Sequence, residues 1–370
     1  MNIYCVHQGY ELYGSDRMFV RSLEAFKNRW PKSSITVHLP QKGLLSELII
    51  QKGLADKIVL EPLGVLRKSD IKSLRLGGLL KELINIPKKI KKLSGFDLVY
   101  INSIVVIDYL VASRFANVSS KFIHIHELPS GITKRIFQAI VRFSKAKPIF
   151  ISNAVKDCFR LLKHGTLVYN GIDGLDCKQN SNNNDTINLL MIGRINGWKG
   201  QDLLLTAIAN LPDVYRDKIK LRIVGSVFEN QYYFKQRLIQ IINDNDLDRI
   251  VKFVDFIKDP QIEYNNADVV VVPSKMPEPF GLVGIEAASC SKVVLAAKHG
   301  GLGEIFEDEI DGIYFEPRDV KDLSDKIEQL IKMNADKRIR MGYNARSLFL
   351  KSFTAEKYKS NFIKAIQSEL

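Results

Sequence analysis

Short runs dense in Val, Ile, Leu and Tyr recur along this chain, and their rhythm restricts the fold more than any other feature. In the first half they read "NIYCVH", "ITVHL", "KIVLEP", "DLVYIN", "KFIHIH", "PIFIS" and "TLVYN". Longer amphipathic stretches that suit helices, such as 15–29 and 104–116, lie between most of them. Strands of this composition, separated by helices, indicate a parallel sheet buried on both faces. The polar stretch "GLDCKQNSNNNDT" (174–186) interrupts the pattern and reads as a linker. The rhythm then restarts with "INLLMIG", "IKLRIVG", "VKFVDF", "DVVVVPS", "KVVLAA" and "GIYFEP", with helical stretches at 199–210, 230–246 and 319–334. The expected fold class is therefore α/β, with two Rossmann-like domains facing across a cleft and ligands where strand ends meet helix N-termini. The boundaries read as 1–175 for the first domain, 176–186 for the linker and 187–352 for the second domain. A last amphipathic helix at 353–370 follows completion of the second sheet and is free to return to the first domain.

With 46% hydrophobic and 26% charged residues, the composition is that of a soluble globular protein. No apolar run reaches the ~20 residues a membrane span needs, and the chain opens directly into a strand, so a cytoplasmic location is expected. Cys5, Cys158, Cys177 and Cys290 show no paired spacing and are expected as reduced, packed thiols. The charge is uneven. Residues 1–180 hold 28 Lys and Arg against 14 Asp and Glu, so the whole excess of +13 belongs to the first half. Such a field favours an anionic partner: nucleic acid, a phosphorylated acceptor or an acidic membrane surface.

Four motifs stand at strand ends. "VYNGID" (168–173) is by itself only a tight turn, and "HGGLGE" (299–304) is a glycine turn after a buried strand. "IGRINGWKG" (192–200) carries Arg194 and Lys199 on a loop that leads into a helix, where fixed cations and N–H dipoles together suit a diphosphate. Two solvated loop cations are the bland reading of that motif. "PEPFGLVGIE" (277–286) is the most informative. Gly281 lets the backbone approach a ligand closely, Glu278 can accept hydrogen bonds from sugar hydroxyls, and Glu286 can reach a ribose diol from two turns into the helix.

In this order and spacing, these four motifs resemble those of family 4 of the retaining glycosyltransferases, which have the GT-B fold. The resemblance covers essentially the whole chain and is strongest over 165–320. It implies that Arg194 and Lys199 hold the donor diphosphate, that Glu278 contacts the transferred sugar, and that Glu286 binds the ribose. It further implies that the backbone of Phe280, Gly281, Leu282 and Val283 contacts sugar and phosphate. In the first half, "YGSDRMF" (13–19) resembles the family's glycine loop, with Gly14 facing the diphosphate, and His126 matches a histidine near the transferred sugar. His126 also reads as a packed histidine at a strand end, and His7 and His124 read as structural. The chain departs from the family at Tyr13 and Asp16 in the first loop and at Asp255, which leaves the donor preference open.

The implied activity is that of a retaining hexosyltransferase. It would use a nucleotide-diphosphate sugar as substrate, with no cofactor and no metal, because Arg194 and Lys199 can neutralise the leaving diphosphate. The implied acceptor is a lipid-linked saccharide in cell-surface polysaccharide or lipopolysaccharide synthesis. Two basic stretches with recurring apolar residues, 67–92 and 131–147, suit helices lying on an anionic membrane surface, which places the protein peripherally on the inner face of the membrane. Each also reads as an ordinary helix packed on the sheet. A nucleotide-sugar epimerase or sugar phosphorylase on the same fold is the alternative enzyme. A basic nucleic-acid-binding protein is the non-catalytic one, disfavoured because aromatics do not interleave the basic residues; no nucleic acid partner is expected.

Overall fold

The computed structural model describes residues 1–66, 77–162, 164–177, 186–227 and 231–370. They form two compact units, Met1–Gly171 with Ala355–Leu370, and Ile172–Thr354. Each is built around one parallel sheet flanked by helices, and every strand falls within one residue of an apolar run read from the sequence.

In the first unit the strands are β1 (Asn2–His7), β2 (Ser34–Leu39), β3 (Lys57–Leu60), β4 (Leu98–Asn102), β5 (Ser120–Ile125), β6 (Lys147–Phe150) and β7 (Thr166–Leu167). Their order across the sheet is β3-β2-β1-β4-β5-β6-β7, so the winding direction reverses between β1 and β4. Register pairs His7 with Asn102 and Asn102 with His124 at the carboxyl ends of β1, β4 and β5. The helix Gly14–Arg29 covers one face together with the terminal helix Ala355–Gln367, which thus completes the first sheet. Phe362 packs its ring against Phe26 and Tyr100 at 5.2 and 5.4 Å. Ser22 Oγ lies 2.6 Å from Tyr358 OH and 2.9 Å from Tyr100 OH, which satisfies three buried hydroxyls inside an otherwise apolar layer. Each large apolar side chain buried here stabilises the unit by roughly 1.5–3 kcal/mol.

The second unit holds β8 (Ile187–Ile192), β9 (Ile219–Val224), β10 (Val251–Val254), β11 (Val269–Val272), β12 (Val293–Ala297) and β13 (Ile313–Phe315), ordered β10-β9-β8-β11-β12-β13. The reversal here falls between β8 and β11. All four valines of β11 are buried, as befits a central strand covered on both sides.

Two expectations are corrected. Cys177 and Cys290 are joined by a disulfide across 113 residues, so only Cys5 and Cys158 are free thiols, both buried. Sequence spacing carries no signal for a pair that only the tertiary fold brings together. Lys89, expected on a cationic membrane face, is buried and paired with Asp108 and, at 2.7 Å, with Glu82. Pro87 does not interrupt its helix, because it sits in the first turn of Ile86–Leu93, where a missing N–H is harmless. Residues 67–76 of that basic stretch, and 178–185 of the expected linker, lie outside the described residues. Among the described residues no helix is long and apolar enough to cross a membrane.

Candidate functional site

Open parallel sheets bind ligands beyond the carboxyl ends of their strands, at the point where winding reverses. In the second unit that point is the β8/β11 boundary, and three loops converge on it. The first leaves β8 through Gly193. Asn196 Oδ1 accepts the N–H groups of Trp198 and Lys199 at 3.1 and 3.0 Å, and Gln201 Nε2 donates to the Arg194 carbonyl at 3.0 Å. These bonds fold residues 194–200 into a tight turn. Gly200, at φ +85°, closes it against β11, since a Cβ there would stand 1.9 Å from the Pro273 carbonyl oxygen.

The turn delivers Lys199 to Glu278 on the second loop. Lys199 Nζ lies 2.6 Å from Glu278 Oε1, and Ser274 Oγ donates to the same oxygen. His299, from the third loop, donates Nε2–H to the Ser274 carbonyl at 2.7 Å. Burial pushes the Glu278 carboxyl up, but the Lys199 charge and the bonds from Lys199 and Ser274 outweigh it and hold the group below the usual glutamate range. Burial lowers His299, which therefore stays neutral at neutral pH. The second and third loops are locked together: Gly301 N–H donates to the Glu278 carbonyl at 2.8 Å, and a Cβ on Gly300 (φ +59°) would meet the same oxygen at 2.3 Å.

Beyond Glu278, Phe280 is buried with its ring 5.9 Å from that of Phe353. Gly281 then turns the chain at φ +120° into the helix Leu282–Ser289. Leu282 and Val283 occupy its first turn, whose N–H groups have no acceptor within the helix. Glu286 stands one turn further on, and its Oε2 accepts a bond of 2.8 Å from the hydroxyl of the fully buried Tyr264. Tyr264 sits in the short helix Gln261–Asn266, in a stretch without a motif, and the sequence reading missed it. Arg194, Lys199, Glu278, Phe280, Gly281, Leu282, Val283 and Glu286 thus all belong to loops or a helix start at one sheet edge.

Gly14 and His126 belong to the first unit. Gly14 opens the helix Gly14–Arg29, whose first turn holds Asp16; the Asp16 carboxylate accepts Tyr13 N–H at 3.0 Å and His7 Nε2 at 2.8 Å. His126 Nε2 lies 2.9 Å from Asn102 Oδ1, and Asn102 Nδ2 lies 2.9 Å from His7 Nδ1. His7, read as merely structural, is therefore bonded into the same chain as His126. Burial, reinforced by His124 and His7, pushes His126 well below the ordinary histidine range, and burial alone takes His124 to about 3. Glu127 clamps the neighbouring loop, accepting from Ser103 Oγ, Ile104 N–H and His126 N–H, the last at 3.1 Å. Burial still leaves its carboxyl raised.

Comparison with known proteins adds a likeness of sequence and of fold. Residues 175–348 match the family model of the glycosyl transferases, group 1. An uncharacterized glycosyltransferase of Methanocaldococcus jannaschii is 29% identical over 237 residues, 62% of either chain. The lipopolysaccharide 1,2-N-acetylglucosaminetransferase of Salmonella typhimurium is 30% identical over 184 residues, 48% of this chain and 47% of that protein. The match thus spans less than two thirds of either relative. Anabaena HepE, solved in complex with UDP-glucose, superposes over all of both chains with a TM-score of 0.80 at 22% identity. Residues 175–348 are thus similar to the glycosyl transferases of group 1, and the structural likeness is one of fold: two Rossmann-like parallel sheets, the GT-B arrangement.

Proposed function

We propose that the protein transfers a hexose, with retention, from a nucleotide-diphosphate sugar to a lipid-linked saccharide in cell-surface polysaccharide synthesis. The observation that carries the donor half is the Lys199–Glu278–Ser274 cluster beside a helix start at the β8/β11 switch point. Lys199 and Arg194 supply positive charge where a leaving diphosphate would gather negative charge, so no metal ion is required for that task. Glu278, already engaged by a cation and a hydroxyl, suits the holding of sugar hydroxyls. Attack on an anomeric carbon asks for a carboxylate whose charge is not spent on a cation. Front-face displacement, with the leaving phosphate helping to deprotonate the acceptor, fits this division of labour. Glu286, oriented by Tyr264, is assigned to the ribose. The uridine nucleotides held by the structurally similar HepE make UDP-sugars the first donors to try, and the lipopolysaccharide transferase among the relatives favours a saccharide acceptor.

The test is a panel of UDP-, GDP- and ADP-sugars, scored by thermal shift and by slow hydrolysis of the donor without acceptor. A bound donor raises the melting temperature according to how far its concentration exceeds its dissociation constant. At least one donor is expected to stabilise and to be hydrolysed. Lys199→Ala and Arg194→Ala are each expected to cut turnover by ~10²–10³ while leaving the fold intact. A panel without any stabilising donor, or folded variants with unchanged turnover, would overturn the assignment.

A further inference from the structure

Across the β1/β4 reversal of the first unit, four polar side chains form one continuous chain: Asp16, His7, Asn102 and His126. Three come from the carboxyl ends of different strands or just beyond, and the fourth from the first turn of a helix. His7 and Asn102 are fully buried, and Asp16 nearly so. The space is shaped around them: a Cβ on Gly9 would overlap the Asp16 carboxylate at 1.9 Å and His7 Nε2 at 2.7 Å.

The direction of each bond follows from the one before it. A carboxylate only accepts, so His7 Nε2 carries the proton facing Asp16. His7 Nδ1 lies 2.9 Å from Asn102 Nδ2 and 3.1 Å from the Asn102 carbonyl; a doubly protonated ring would donate to the carbonyl, whereas in the neutral ring Nδ1 is bare and accepts from Nδ2. That fixes Asn102 Oδ1 on the other side, where it receives Tyr100 OH at 2.8 Å and faces His126 Nε2. An amide oxygen only accepts, so His126 Nε2 carries the proton. Nδ1 is then the unprotonated nitrogen, and among the described residues it has no partner.

We infer that Asp16, His7 and Asn102 are positioning residues that hold His126 in its neutral Nε2–H tautomer, so that Nδ1 is presented as a hydrogen-bond acceptor to a hydroxyl of the bound sugar. This rests on the reading of His126 as a sugar-facing residue. It also gives a purpose to Asp16, which otherwise stands as a departure from the glycine-loop pattern. The groups facing His126 agree with a neutral ring. Burial disfavours the charged form of the ring, which lies 4.3 Å between centroids from that of the fully buried His124, while Glu127 accepts from the His126 backbone N–H and not from its ring. Removing the carboxylate that sets the direction of such a chain leaves the geometry and reverses the tautomer, a loss documented for catalytic triads.

The experiment is long-range proton–nitrogen NMR on the histidine rings of the folded protein at neutral pH, with His126 assigned by the loss of its signals in His126→Gln. The wild type is expected to show His126 protonated on Nε2 alone. Asp16→Asn, whose amide can donate to His7 Nε2, is expected to move the His7 proton to Nδ1, turn the Asn102 amide over and shift His126 to the Nδ1–H form. Its kcat should fall at least tenfold with the KM for the nucleotide-sugar unchanged. An Nδ1–H or doubly protonated His126 in the wild type overturns the inference without any variant. So does a doubly protonated His7, which would donate to the Asn102 carbonyl 3.1 Å away. A folded Asp16→Asn variant with an unchanged His126 tautomer also overturns it. If the tautomers behave as expected but no sugar is transferred, the relay stands and the assigned reaction fails.

Discussion

Lys199 and Glu278, 79 residues apart in the chain, meet at 2.6 Å where the β8 and β11 loops converge. The pair sets the charge of the site before any ligand arrives, and it makes Glu278 a pH-dependent element of stability. Its folded-state pKa lies below the ordinary value because Lys199 and Ser274 outweigh burial. A depressed carboxyl contributes stability that is present above its unfolded pKa and lost as pH falls through the folded one. Wild type should therefore exceed Glu278→Gln in unfolding midpoint at neutral pH. The gap should close in the acid range, below the glutamate value of about 4.3. A gap that persists unchanged to the lowest pH at which both proteins fold would show that the charge pair is not its source.

Tyr264 and Glu286 support a second, separable prediction. The hydroxyl of Tyr264 orients a carboxylate assigned to ribose, so each substitution should weaken binding of the bare nucleotide. Glu286→Gln removes the charge from the bond to the ribose itself, roughly 1.5–3 kcal/mol, whereas Tyr264→Phe leaves the carboxylate in place and loses only its orientation, a smaller effect of about 0.5–1.5 kcal/mol on nucleotide binding. Calorimetric titration of UDP and GDP reads both. Wild-type affinity in Glu286→Gln would remove Glu286 from the ribose.

Gly200 and Gly197 lie three residues apart in one loop and should respond in opposite ways. At Gly200 a methyl group would meet the Pro273 carbonyl, and φ is +85°, whereas at Gly197 nothing stands within 4 Å. Gly200→Ala is expected to destabilise by at least ~1–3 kcal/mol through backbone strain alone, and Gly197→Ala to stay within about 0.5 kcal/mol of wild type. Thermal unfolding of both variants, side by side, decides whether the loop is clamped to β11 as described.

The strands were legible because a parallel strand covered on both faces must be apolar throughout, and runs such as the four valines 269–272 show that in one dimension. Glu278, Gly281 and Glu286 were legible because a glycine-bearing turn between carboxylates sits in one continuous motif. Tyr264 was not, since its partner is 22 residues away and its own neighbours carry no pattern. The Asp16–His7–Asn102–His126 chain needs the strand order and the His7–Asn102 register, which no local stretch encodes. Lys89 was misread for a related reason: a run of lysines displays its charges, while Asp108, 19 residues on, supplies the partner that takes one of them inside.

The Cys177–Cys290 bond can be tested by counting thiols. Alkylation of protein unfolded without reductant should label two of the four cysteines, Cys5 and Cys158, and reduction should release the other two. Cys290→Ser should lower stability by about 2–4 kcal/mol, since the bond closes a long loop in the unfolded chain. Labelling of all four cysteines before reduction would show that the bond does not form.

A membrane-facing role for the first unit now rests on a narrower set of residues than the charge run suggested. The helices Ile86–Leu93 and Gly131–Ser144 flank Ile107–Phe115 on one face of the sheet. Their outer surface exposes Lys88, Lys91, Arg135 and Arg142, together with Ile132 (69% exposed), Phe115 (60%) and Phe143 (47%). The rings of Phe115 and Phe143 meet edge to face at 5.9 Å. Beside them Lys121 is pushed down by burial and by the charges of Arg114 and Lys145, a crowding that anionic headgroups would relieve. Apolar side chains set among cations suit a lipid interface, and each cation near it adds about 1 kcal/mol. The protein is expected to pellet with vesicles containing anionic lipid at low salt and to be released at high salt. Reversal of Lys88, Lys91, Arg135 and Arg142 to Glu should keep it in the supernatant. Lys89 is left untouched, because reversing it would strand Asp108 and Glu82 in a buried site and unfold the region. Unchanged pelleting of the reversed protein, or no pelleting of the wild type at low salt, would remove the membrane from this account.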